Sequence, residues 1–209
     1  MDKQNISDFV NYRYQPLTQR EMVTRLITVV VLSAVCCLLG NQKLYWGIGF
    51  GLFNILLVAL AGYIYNMGIC KKNSRFLWDG SSYLCISVIL CLISYRILTW
   101  TAESNGFLLL SMILFLILSY IFSGVLVVFN IRKGRYSETN QVPSKSPIPF
   151  LLAALGFLFA KGFLSCTNAQ NGAQFIAMSL LFISVVVGLG WTNLIRLILF
   201  PKLITDNCE

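Results

Sequence analysis

Residues 44–66 read LYWGIGFGLFNILLVALAGYIYN, a block in which no side chain carries a charge. An α-helix rises about 1.5 Å per residue, so about 20 such residues cross a hydrocarbon core of about 30 Å. Lipid offers backbone N–H and C=O groups no partner, and a helix satisfies them internally, so a membrane-spanning helix is expected here. Tyr45 and Trp46 at its start suit the membrane–water interface. Glycines at 47, 49 and 51 have the wording of a phosphate-binding loop, yet no strand leads into them and the apolar run continues past them. Gly47 and Gly51 lie one turn apart on one helix face and instead suit close packing against another helix.

Working outward, five more blocks have the same character, at 23–40, 82–100, 106–129, 148–165 and 174–195. The chain has 209 residues, of which 57% are hydrophobic and 11% charged, with a mean hydropathy of +0.74. Soluble domains carry about 25% charge, so the composition belongs to a chain embedded in lipid. The expected fold is all-α, a polytopic bundle of six transmembrane helices. Residues 1–22 form a cytoplasmic N-terminal segment, 23–202 the membrane domain and 203–209 a cytoplasmic tail. The first 22 residues are too long and too polar for the leading part of a cleavable signal peptide, so the first helix is expected to stay. Neither a myristoylation glycine nor a prenylation box is present, which leaves anchoring to the helices.

The net charge of +8 does not point to nucleic acid, because the cations flank the apolar blocks instead of covering one soluble face. Lys3, Arg13, Arg20, Arg25, Lys71, Lys72, Arg75, Arg132, Lys133, Arg135, Lys145, Arg196 and Lys202 fall on one side of a six-helix arrangement, and only Lys43, Arg96 and Lys161 on the other. The excess of Lys and Arg on cytoplasmic loops then puts both termini in the cytoplasm. A plasma membrane or a bacterial inner membrane is the expected location. The seven cysteines have no metal-site spacing and lie mainly within helices, where a thiol serves as a small apolar group.

Polar residues inside apolar blocks are the candidates for function. Arg96 and Lys161 stand near the outer ends of their helices, where a long side chain reaches the headgroups with its stem in lipid; snorkelling is the plainer expectation for both. The alternatives are pairing with Glu103 in the neighbouring loop, or lining an anion or headgroup site. Asn54 stands near the middle of its block, where its amide needs a partner on a neighbouring helix. Gly156 and Ala160 offer a small-residue face on the block that follows Pro147 and Pro149. Gly188 and Gly190 permit a tight crossing or a kink in the last block, whose amphipathic end, from Trp191 to Lys202, is expected to enter the interface.

The chain has no histidine, and none of the six spans contains Asp or Glu, which argues against a proton relay, a Ser–His or Cys–His nucleophile and a metalloprotease centre. No Rossmann or Walker signature is present, so no catalytic residue, metal or cofactor is expected. In size and helix number the chain resembles substrate-binding membrane subunits of vitamin importers and small immunity or accessory proteins, and no motif selects among them. Two functions fit. One is a non-enzymatic accessory, protective or assembly subunit that acts by contacts within the bilayer, with membrane lipid and another membrane protein or a second copy as partners. The other is a small transporter or substrate-binding component with Arg96, Lys161 and Asn54 lining the path of a neutral or anionic solute.

Overall fold

A computed structural model describes residues 3–12, 14–39, 43–69, 71–99, 106–136 and 169–199. Every regular element among them is helical: α1 (Lys3–Asn11), α2 (Gln19–Leu38), α3 (Lys43–Met67), α4 (Lys72–Leu98), α5 (Gly106–Arg132), α6 (Ala169–Gly188), a single 3₁₀ turn at Leu189–Trp191, and α7 (Thr192–Leu199). Five helical stretches are long and apolar enough to cross a membrane: Gln19–Leu38, Tyr45–Met67, Lys72–Leu98, Gly106–Arg132 and Gly172–Leu199. The predicted span at 148–165, with Gly156, Ala160 and Lys161, lies outside the described residues, as does Glu103.

Local chemistry explains several helix ends. Thr18 caps α2 with its hydroxyl accepting from the Glu21 backbone at 3.2 Å, while the Glu21 carboxylate accepts from the Thr18 backbone at 3.5 Å, a reciprocal capping box. α3 stops at Gly68, whose φ of +100° is open to glycine at little cost. α5 stops at Gly134 (φ +63°), where the Arg135 N–H returns to the Asn130 carbonyl and the Gly134 N–H to that of Ile131, satisfying carbonyls the helix leaves open.

α4 is the axis of the bundle. More than half of its most apolar stretch is buried inside the protein, against about a fifth or less for the other four spans. α2 and α6 pack along it, with α3 leaning on α2. Trp78 and Ile89 of α4, Val29 and Cys36 of α2, and Leu57 and Ile64 of α3 form the largest apolar cluster. The outer faces of α3 and α5 remain apolar and open, as in Leu52, Leu56, Phe107 and Phe122, which suits helices whose surroundings are acyl chains.

The hydrogen bonds between helices fix their directions. Ser94 Oγ donates to the Ala177 carbonyl at 2.6 Å and Ser87 Oγ to the Ser184 carbonyl at 2.6 Å, so α4 and α6 run antiparallel. Tyr120 of α5 meets the same Ser87 hydroxyl at 2.6 Å, and Ser123 accepts from Trp191 Nε1 at 2.8 Å. α5 and α6 therefore run in the same direction. α1 and α7 meet at one end of the bundle, where Arg196 lies over the Phe9 ring at 5.0 Å and over the Phe76 ring at 5.7 Å. Arg20, Lys71, Lys72, Arg132 and Lys133 stand at the helix termini that converge there, and we refer to it as the basic end.

One boundary needs correction. The helix containing Arg96 begins at Lys72, not at 82, and it therefore holds Asp79; α2 likewise begins at Gln19 and holds Glu21. The expectation that no carboxylate lies within a span fails for these two helices. Helices end where backbone groups need other partners, and here the polar residues near the basic end are paired across the bundle, so nothing requires the helices to stop short of them.

Candidate functional site

The strongest concentration of polar chemistry among the described residues is an ionic cluster between α2 and α4. Asp79 is only 7% exposed and is bonded on both oxygens. Oδ1 accepts from Arg25 Nη1, and Oδ2 accepts from Arg75 Nε at 2.7 Å, one helical turn away. Arg75 Nη1 also donates to Glu21 Oε2, which ties α4 to the capping box of α2. Arg25 reaches Ser82 Oγ at 3.4 Å, and its guanidinium stacks over the Tyr83 ring at 4.6 Å. Two arginines thus face two carboxylates, with no net charge. An isolated charge buried here would cost several kcal/mol, and only mutual pairing with added hydrogen bonds makes the placement tolerable.

This cluster was legible only in part. Glu21 and Arg25, and again Arg75 and Asp79, stand four residues apart, the spacing that brings side chains together on a helix. The first pair does not close within its own helix: Glu21 binds Arg75, and Arg25 binds Asp79. Sequence spacing reveals the partners' types and leaves the cross-helix pairing open.

Over the cluster sits an aromatic cap. Phe9 and Val10 of α1 and Leu17 of the following segment are almost fully buried. Tyr136 packs on Phe9 with ring centroids 4.8 Å apart, and burial pushes its phenol above the ordinary value. Lys72 donates to Asn11 Oδ1 at 2.9 Å and lies over the Tyr14 ring at 5.2 Å. The N-terminal segment is thus folded onto the basic end of the bundle.

The candidates singled out from the sequence fall in different places. Arg96 is 6% exposed, and its guanidinium lies over the Trp46 ring at 5.1 Å. The structure thus places its guanidinium against the start of α3. Asn54 Oδ1 stands 3.4 Å from Ser33 Oγ of α2, whose one proton already goes to the Val29 carbonyl at 2.8 Å, so this cross-helix contact is weak. Gly188 and Gly190 are tight packing points: a Cβ would stand 2.4 Å from the Tyr120 ring at the first and 2.4 Å from the Tyr83 ring at the second. Two glycines of the same kind escaped the sequence reading. Gly80 admits Leu194 of α7, and Gly124 admits the Trp191 ring. Gly47 and Gly51 behave otherwise, for none of the described residues lies within 4 Å of a Cβ built at either.

Two open apolar grooves mark the surface. One, of about 450 Å³, lies between α3 and α4 beside Trp46, Phe50 and Leu92; the other, of about 500 Å³, lies between α5 and the Trp191–Ile195 stretch. Neither is lined by Arg96 or Asn54. No three His, Cys, Asp or Glu side chains converge among the described residues, so the groups on offer are fixed charges, hydroxyls and rings. No protein-family model, curated protein or solved structure matches the chain. The fold defines the class, a helical bundle with the build of a multi-pass membrane protein.

Proposed function

We propose that the protein is a non-enzymatic accessory, protective or assembly subunit that works through helix contacts within the bilayer. The observation that carries this reading is the flank of α3. Gly47, Gly51 and Gly62 share it by helical spacing, and a Cβ at any of them would meet no atom of the described residues within 4 Å. Small residues on a membrane helix let another backbone approach closely, and among the described residues that approach is unused. Hydroxyls near the membrane interior are consumed in internal bonds: Ser33 with Val29, Ser94 with Ala177, and Ser87 with Tyr120 and Ser184. Such pairing favours a filled scaffold over a solute path lined by Arg96 and Asn54.

The membrane topology in this reading is six crossings with both termini in the cytoplasm. Its support is directional. α5 ends and α6 begins at opposite ends of the bundle, so the chain between them has to return across the bundle's length. The 18 residues of 148–165 would cover about 27 Å as a helix. The cations gathered at the basic end support a cytoplasmic place for that end, in a plasma or bacterial inner membrane.

The experiment is copurification in mild detergent with Gly51→Leu as the probe. The wild-type chain is expected to retain a stoichiometric membrane-protein companion or a second copy, and Gly51→Leu to lose it while keeping its helical signal and melting temperature. Solute flux in liposomes carrying the chain alone, abolished by Arg96→Gln, would replace this reading with the transporter.

A further inference from the structure

We propose that the groove between α5 and the Trp191–Ile195 stretch is a binding site for one anionic phospholipid, with an acyl chain along the groove and the headgroup phosphate at Arg132. The groove is walled by Ile121 and Val125 on α5 and by Trp191 and Ile195 opposite, with Gly124 as its floor and Arg132 at its end. From Ile121 to Arg132 it follows about 16 Å of helix, enough to seat much of an acyl chain. Its depth depends on Gly124, because a Cβ there would already stand 3.0 Å from the Trp191 ring.

The polarity of the groove changes along its length. The one polar atom of the Trp191 wall, indole Nε1, is donated to Ser123 Oγ, so the wall offers an occupant only apolar surface. At the mouth the chemistry reverses. Arg132, Lys133 and Arg135 are exposed within four residues, and α5 itself contains no Asp or Glu; the nearest acid in the sequence, Glu138, lies outside the described residues. α1 reaches the same end, with Asn5 against Gly134, and it carries exposed Lys3 and one acid, Asp8. Lys133 is folded over the Phe129 ring at 4.2 Å, which holds its ammonium beside the end of the groove.

A molecule with a long apolar body and a negative head fits this gradient. A second transmembrane helix would fill the apolar part and leave the cations without a counter-charge. A zwitterionic lipid would fill the same part and bring a cation of its own to the mouth. The site is independent of the α3 flank, so its failure leaves the proposed function untouched.

The test uses the full chain, exchanged into nanodiscs with equal amounts of phosphatidylglycerol and phosphatidylcholine, released into mild detergent and examined by native mass spectrometry. Preferential retention of phosphatidylglycerol is expected. Arg132→Gln and Lys133→Gln should each weaken it roughly fivefold, the factor expected for one basic residue at an anionic surface. Val125→Trp, which fills the groove from an exposed position, should weaken it with all charges in place, and Arg20→Gln on α2 should leave it unchanged. Equal retention of the two lipids, or unchanged retention in Arg132→Gln or Val125→Trp, overturns the proposal. So does a photo-crosslinker at Val125 that captures another protein, or residues 137–168 of this chain, in place of lipid.

Discussion

At Asp79 a carboxylate stands inside a helix long and apolar enough to cross a membrane, with a guanidinium on each oxygen. Removing Asp79 leaves Arg25 largely buried without a carboxylate and takes one of the two that Arg75 binds. Asp79→Asn is therefore expected to destabilise the protein by about 3–5 kcal/mol, read as a lower melting temperature in detergent. Replacing Arg25 and Asp79 together by Met and Leu should recover most of that loss, because similar volume is restored with no orphaned charge between those two positions. Tyr120→Phe should cost much less, about 0.6–1.7 kcal/mol, as Ser87 keeps its bond to the Ser184 carbonyl. Both outcomes follow from pairings no spacing rule exposes, since the partners lie 54 and 33 positions apart.

Between helices, the glycines divide into two kinds that look alike in sequence. Gly190 has the Tyr83 ring where a methyl group would go, so Gly190→Ala should destabilise by about 1–3 kcal/mol through overpacking. Gly47→Ala should leave the melting temperature unchanged, because none of the described residues fills the space beside it. Equal losses at the two positions would show that the α3 flank is occupied within the monomer. The extension of α4 back to Lys72 belongs to the same scale. A reading by hydropathy stops at KKNSRFLWDGSS because polar residues accumulate there, whereas the helix continues because those residues find partners on α2, α1 and α7.

For the molecule as a whole, topology is open to labelling. In a cysteine-free background, Arg20→Cys and Arg135→Cys should react with an impermeant thiol reagent from one face of the membrane and Gly106→Cys from the other; any other pattern contradicts the helix directions fixed by the bonds among Ser87, Tyr120, Ser184 and Trp191. The apolar blocks at 23–40, 44–66, 106–129 and 174–195 were legible almost in full, because a chain surrounded by lipid has to bury its backbone hydrogen bonds in long uncharged helices. Composition alone was sufficient for the helical class, and the placement of Lys and Arg for the expectation of a basic end. What only the tertiary structure decided was which polar residues meet: Arg25 with Asp79, Arg75 with Glu21, Arg96 with Trp46, and Gly188 and Gly190 against tyrosines while Gly47 and Gly51 stay open. The physical reason is range. Hydropathy and helix period act within one segment, whereas a charge, a hydroxyl or a missing side chain takes its meaning from whichever helix happens to pack against it.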